Sequence, residues 1–314
     1  MEFIQVNDTT IYYNHFFYED TVIDGTHGYR VFASVDANGK ADIDFSSLAF
    51  EKEINGKKVI SMDKCFQDIK EITLYSGIPE GASILSANEC FKGCVNLHKI
   101  PKFPDTVRYM NSAFENCKRL FQFQRGSIVL PASLREANNL FKGCVFSREL
   151  ALTFPKNLVS ADKMFSLLKS SYLGNFKPND ALKSFSCQVL KGRDIFLIVK
   201  DEDAVILKRQ MVEDIDSEAE RYFQMKSQEK VIKPLTGKSI YEIENKTTPE
   251  FFTPLTKEFK SHKESISFLC SLFLLLSDDE PLSFIERKMK SIKVKNVDSD
   301  VIQYLTSASR SFSS

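Results

Sequence analysis

One spacing of apolar residues recurs five times in the middle of the chain. The segments SMDKCFQDI, SANECFKGC, YMNSAFENC, EANNLFKGC and SADKMFSLL centre on Phe66, Phe91, Phe114, Phe141 and Phe165, which stand 25, 23, 27 and 24 residues apart. Four residues before each anchor comes Met62, Ala87, Met110, Ala137 or Ala161, and directly before it Cys65, Cys90, Ala113, Leu140 or Met164. Three residues after it comes Ile69, Cys94, Cys117, Cys144 or Leu168. Apolar residues at −4, −1, 0 and +3 share one face of a short helix, so the pattern predicts a helical turn in every repeat. The −3 position is always Asx (Asp63, Asn88, Asn111, Asn138, Asp162), a residue suited to accept hydrogen bonds from amides at the start of such a turn.

Each anchor is followed by a strand-like segment, at Ile72 to Leu74, Leu97 to Ile100, Leu120 to Phe123 and Leu150 to Phe154. A corner then follows at Ile78-Pro79, Phe103-Pro104, Leu130-Pro131 and Phe154-Pro155, with Ala82, Val107, Leu134 or Leu158 pointing back inward three residues beyond the proline. A repeat of 23 to 27 residues cannot bury its own apolar face; stacking on its neighbours does that. Burial of one phenylalanine contributes roughly 1.5 to 3 kcal/mol, so the column of anchors is expected to dominate stability.

The order Pro-x-x-apolar, Asx, Phe-x-x-Cys, Leu-x-x-Ile resembles the BspA-type, or treponemal, leucine-rich repeat family over about Ile54 to Phe176. The lead-in Ile54-Asn55-Gly56-Lys57-Lys58-Val59-Ile60-Ser61-Met62 resembles that family's first repeat. Two departures stand out: an insertion around Phe146 to Glu149 in the fourth repeat, and the missing cysteine in the fifth. The resemblance implies a leucine-rich-repeat solenoid. Members of the family include cell-surface adhesins and other interaction proteins, which implies protein binding.

The flanks read differently. Residues 1–53 alternate apolar and polar positions in Tyr29 to Ser34 and Ala41 to Phe45 and carry turn signals at Asp24-Gly25, His27-Gly28 and Asn38-Gly39, which predicts an N-terminal β cap. Residues 54–178 are the solenoid. From 179 to 314 the repeat is gone: Asp194 to Val199 reads as a buried strand and Ala204 to Lys226 as an amphipathic helix. Helix starts are read at Thr248-Pro249, Ser277 to Pro281 and Asp298, with Ile266 to Leu276 as a core helix, so a mainly helical domain is expected. The predicted fold is therefore α/β: about five leucine-rich-repeat rungs behind a β cap, followed by a helical domain.

Charge and cysteine content narrow the function. Lys plus Arg and Asp plus Glu number 42 each, which argues against a general nucleic-acid or anionic-lipid binder. The balance is local rather than uniform: residues 1–60 carry 5 basic and 10 acidic side chains, residues 61–176 carry 15 and 10. The opening residues lack a basic start before an apolar run, and Ile266 to Leu276 is too short to span a bilayer. Seven cysteines, three of them at one repeat position, fit reduced buried thiols and a cytoplasmic location, with export by an unrecognised route as the alternative.

Phosphate-loop, dinucleotide, zincin, nucleophile-elbow and paired Cys-x-x-Cys patterns are absent from the sequence, so the expectation is a non-enzyme with no cofactor and no metal. The expected role is a protein-interaction scaffold or adaptor with a protein partner and possible self-association through the helical domain. An adhesin or delivered effector, a structural subunit, and an enzyme activity in 180–314 are the alternatives. The candidate binding residues are Tyr75, His98, Lys99, Lys102, Phe121, Gln122, Gln124 and Arg125, which follow the anchors at similar offsets in successive repeats.

Overall fold

A computed structural model describes residues 3–36, 40–41, 44–46, 48–123, 127–145, 151–191, 194–211 and 255–277. These residues form three sheets and a stack of turns between them. The first sheet opens with β1 (Ile4–Asn7), β2 (Thr10–Tyr13), β3 (Phe16–Ile23) and β4 (Thr26–Ala33), an antiparallel meander. The β2–β3 and β3–β4 hairpins turn on residues with positive φ, Asn14 and His15 (47° and 65°) and Asp24 and Gly25 (48° and 76°). Two consecutive left-handed residues match the twist of the flanking strands. The sheet is completed by β5 (Glu53–Ile54) and β6 (Lys57–Ser61), with β4 parallel to β6 and the order β1-β2-β3-β4-β6-β5.

Alternation sorts the residues of this sheet. Phe16, Tyr18, Tyr29, Val31 and Ala33 are buried, and Phe16 lies 5.4 Å from Phe45 and 6.1 Å from Phe66, closing over the first anchor. The intervening residues Tyr12, Phe17 and Phe32 face away from that core, Phe17 tilted against Tyr12 at 5.0 Å and stacked on Phe32 at 5.3 Å.

Ser61, the last residue of β6, begins a ladder. Parallel bridges join Ser61 to Ser86, Ser86 to Tyr109, Tyr109 to Glu136 and Glu136 to Ser160. Behind them the anchor rings stand in one file: Phe66, Phe91, Phe114, Phe141 and Phe165, with successive centroids 5.1, 5.8, 5.7 and 5.8 Å apart and planes within 21° of parallel. All five are buried.

The turns at these anchors are not helical. Residues two before and two after the ring adopt positive φ: Lys64 and Asp68, Glu89 and Gly93, Ser112 and Asn116, Asn139 and Gly143. Alternating handedness aims every second N–H along the stack. Lys64, Phe66 and Asp68 donate to the carbonyls of Asn88, Cys90 and Lys92 in the next turn at 2.9, 2.8 and 2.7 Å. Cys65, Gln67 and Ile69 donate back three residues instead. Asp68 and Asn116 hold positive φ at the equivalent position, while at Gly93 (φ 76°) a Cβ would also meet the Asp68 carboxylate, which glycine avoids.

Short elements fill the rest of the stack: α1 (Leu120–Phe123), then β7 (Ser127–Ile128), β8 (Ala151–Thr153) and β10 (Phe176–Lys177), which pair in parallel in the order β10-β8-β7. Of the four expected strand segments only the last contains one, at β8; Leu120–Phe123 is helical, and the first two have no regular structure.

The third sheet overturns the expected C-terminal half. It contains β9 (Ser160–Lys169), β11 (Ser184–Lys191), β12 (Asp194–Asp201), β13 (Ala204–Met211) and β14 (Leu255–Glu258), in the order β14-β13-β12-β11-β9. A 3-10 segment at Ser170–Asn175 and one long helix, α2 (His262–Ser277), pack against it.

The expected α/β leucine-rich-repeat solenoid with a mainly helical C-terminal domain is therefore corrected. The described chain is mostly β-sheet, its three sheets do not close into the expected solenoid, and residues 184–191, 194–201, 204–211 and 255–258 are strands. Ala204 to Met211, read as the start of a helix, alternates as a strand with Val205 and Leu207 buried; the rest of that helix, 212–226, lies outside the described residues, as do the helix starts at Thr248 and Asp298 and the turn at Asn38-Gly39. Ser277 ends a helix rather than starting one, and His27-Gly28 lies within β4 rather than in a turn. Ile266 to Leu276 is the core-facing part of α2, burying Ile266, Leu269, Leu272, Phe273 and Leu276.

A sixth turn extends the stack beyond the five repeats of the sequence pattern. Lys183 and Ser184 donate to Val159 O, as Arg108 and Tyr109 donate to Leu85 O, and Leu182 donates to Asn179 O where earlier turns use proline.

Candidate functional site

The functional groups of the stack are largely committed to its own ladders. Asx side chains at −3 do not cap a turn of their own; they bridge turns. Asn88 N donates to Asp63 Oδ1 (2.7 Å), Asn111 N to Asn88 Oδ1 (2.8 Å), Asn138 N to Asn111 Oδ1 (2.9 Å) and Asp162 N to Asn138 Oδ1 (2.7 Å). The thiols of Cys94, Cys117 and Cys144 donate to the carbonyls of Phe66, Phe91 and Phe114, each at 3.0 Å. Burial pushes the Cys94 and Cys117 thiols upward, away from the thiolate form that nucleophilic chemistry needs.

Two other charged clusters are structural in geometry. On the arch side, Lys92 reaches Glu89 (3.2 Å) and Glu115 (3.3 Å), and Lys142 reaches Glu115 (3.7 Å), a chain of ion pairs across three turns. At the far end Lys200 on β12 is buried, and desolvation holds its ammonium below the usual lysine range. Its Nζ donates to Lys183 O (3.2 Å) and Glu202 O and approaches His262 Nδ1 at 3.4 Å, while His262 Nε2 lies 3.0 Å from Asp180 O. Together these contacts pin the start of α2 to the last turn of the stack.

The predicted binding residues scatter. Tyr75 is buried, its ring 4.5 Å from Phe66 and its hydroxyl donating to Leu48 O at 3.4 Å. Phe121 is buried edge-on to Phe141 at 5.2 Å. His98 is half-buried, its amide donating to Thr73 O; burial, then the Arg119 charge, lowers its imidazole pKa. Lys99 and Lys102 are exposed, Gln122 lies in α1, and Gln124 and Arg125 fall outside the described residues. Tyr75 and Phe121 therefore serve as core aromatics, leaving Lys99 and Lys102 as exposed members of the set.

An outward arrangement emerges one step earlier in two of the turns, at −6 and −5 from Phe114 and Phe141, where the first turn instead buries Ile60 and Ser61. Arg108-Tyr109 and Arg135-Glu136 occupy these positions in consecutive turns, and the Tyr109–Glu136 bridge sets them side by side. The tip of the β3–β4 hairpin reaches this row across more than eighty residues of sequence. Arg108 pairs with Asp24 Oδ2 at 2.8 Å, and Tyr109 Oη donates to Asp24 Oδ1 at 2.9 Å. Those hydrogen bonds, chiefly the one from Arg108, hold the Asp24 carboxyl below the usual range, and Arg135 adds to the effect. Donating its proton to the Asp24 carboxylate also raises the Tyr109 phenol. The recurrence of Arg at −6 was legible in the sequence, but the partner at Asp24 was not.

No family model, characterised protein or solved structure matches this chain. Among the described residues no group of His, Cys, Asp and Glu is placed to hold a metal ion. Among them, no helix is long and apolar enough to cross a membrane.

Proposed function

We propose that the chain is a protein-interaction module, a scaffold or adaptor that engages a protein partner through the outward row of the stack. The observation that carries the reading is the register of Arg108-Tyr109 with Arg135-Glu136 on bridged turns over a buried file of rings. A fixed backbone that repeats arginine at strand spacing beside one tyrosine supplies residue types that anchor protein interfaces, with little conformational cost on binding. A non-catalytic role fits the use of the thiols and of Lys200 in hydrogen bonds to backbone carbonyls. Kinship with the BspA-type family belongs to this proposal and rests on the Phe-x-x-Cys and Asx residues, not on overall topology. A reducing compartment such as the cytoplasm suits the chain, because all seven cysteines are free thiols.

The test is affinity capture from the source's lysate with the wild-type chain, Arg135→Glu, and the double variant Lys99→Glu/Lys102→Glu, each first shown to melt like wild type. The reading expects one partner captured in defined stoichiometry and lost with Arg135→Glu. Capture that is absent, or indifferent to all three changes, contradicts it.

A further inference from the structure

The interaction row is not vacant in the free chain; one of its own carboxylates sits there. We propose that Arg108, Tyr109 and Arg135 form a carboxylate-binding patch which Asp24 occupies in the unbound protein and which an acidic peptide segment of a partner takes over. The inference rests on the interaction-module reading and names the chemistry of that partner.

The geometry of Asp24 is that of a bound ligand. Both oxygens are engaged, Oδ2 by the Arg108 guanidinium at 2.8 Å and Oδ1 by the Tyr109 hydroxyl at 2.9 Å. A guanidinium and a phenol side by side on one strand position recognise a carboxylate whatever chain it belongs to. The next turn repeats the cation: Arg135 stands at the same offset, one parallel-strand spacing along, about 4.8 Å. Charge around the patch balances only while Asp24 is seated. Arg108 and Arg135 are opposed by Asp24 and by Glu136, and Glu136 is held by Asn111 Nδ2 at 3.2 Å. Withdrawal of the hairpin tip leaves one positive charge uncovered, which an acidic segment restores.

The seat is also readily released. Arg108 and Asp24 keep 34% and 34% of their side-chain surface exposed, and an ion pair so open to water holds weakly. The tip that carries Asp24 is a two-residue turn whose neighbours Thr26 and His27 are exposed, with Val22 exposed to 54%. Farther down the hairpin Gly28 lies against Ile60 and Lys58, where a Cβ would approach within 2.7 Å, so β4 is packed closely on β6 below the exposed tip.

The experiment uses a fluorescein-labelled hexaglutamate peptide, with hexaglutamine as the neutral control, titrated into the full chain by fluorescence anisotropy at fixed ionic strength. Four proteins are compared: wild type, Asp24→Asn, Asp20→Asn, and Asp24→Asn combined with Arg108→Gln. Asp20 lies on the same hairpin as Asp24 and pairs with Lys57 of β6, so its variant carries the same charge change at a different place. The expected result is that Asp24→Asn binds hexaglutamate about 5-fold or more tightly than wild type, that Asp20→Asn matches wild type, and that Arg108→Gln cancels the gain. In parallel, saturating hexaglutamate raises amide exchange at residues 22–27 of the wild type. A purely structural pair leaves both readouts still. Binding by Asp24→Asn no tighter than by Asp20→Asn, a gain that survives Arg108→Gln, or no binding by any form overturns the inference. If Arg108→Gln meanwhile still captures the partner that wild type captures, the interaction reading stands without this one.

Discussion

Replacement of Phe114 by alanine probes the stack at its centre. The ring is fully buried, sandwiched between Phe91 at 5.8 Å and Phe141 at 5.7 Å, with Phe103 edge-on at 6.1 Å. Truncation removes the transfer free energy of the side chain and leaves a void whose floor and roof are rigid neighbouring rings, so collapse into it is limited. The expected loss is about 3 to 5 kcal/mol. For a folded unit of this size each kcal/mol lowers the melting temperature by about 2 to 4 °C, giving a drop of about 6 to 20 °C. Urea unfolding followed by circular dichroism supplies the free energy, and a scan supplies the temperature. Phe17→Ala is the matched control: that ring lies on the outer face of the first sheet, half-buried against Phe32 at 5.3 Å, and its loss is expected to cost about 1 kcal/mol. Equal losses for Phe114→Ala and Phe17→Ala refute the reasoning, since the file of rings then carries no special share of the stability.

Three further outcomes are expected. Asn111→Ala removes the acceptor that holds the next turn and strands the Asn138 amide, while the Asn111 amide keeps its own bond to Asn88 Oδ1, and the change costs about 1 to 3 kcal/mol by urea unfolding. Asp24 has a folded pKa below its unfolded 3.8, so its contribution is present above pH 3.8 and fades as pH falls through the lower folded value. Urea midpoints between pH 2 and 6 should thus fall more steeply on acidification for wild type than for Asp24→Asn. Native protein titrated with a thiol reagent exposes Cys270 first, because the other six thiols are buried, and all seven react only in denaturant; three or more fast native thiols contradict the packing.

The parts of the fold that were legible are those fixed by side-chain identity at constant spacing. Phe66 to Phe165 lie in file because large apolar rings at one offset have no other place to go once turns stack. The handedness of the turn was not legible from that spacing. Positions −4, −1, 0 and +3 fall on one face of a helix, and they fall inward equally in an arch with two left-handed residues. The discriminating signal was the polar residues: Gly93, Gly143 and Asn116 at +2 and Asn139 at −2 are types that tolerate positive φ, whereas a helix interior selects against glycine. At Ala204 to Met211 the apolar run AVIL fits either period over four residues, and pairing with β12 decided for the strand. The sixth turn was hidden because Asn179 replaces the proline and no phenylalanine follows at the expected distance. The binding set failed at Tyr75 and Phe121 for a general reason: an aromatic after a stacked anchor packs inward as readily as outward, and here both cover the ring file. Asp24 meets Arg108 only through the length of the β3–β4 ribbon, a long-range fact that no local pattern carries.

The interaction reading is tested most directly by hydrogen exchange of the chain alone and in complex with the partner that wild type captures. The account predicts new protection concentrated in residues 105–112 and 132–139, around the Arg108 and Arg135 turns, with faster exchange at the hairpin tip. Protection confined to β1 and β2, to α2, or spread evenly along the chain would contradict it.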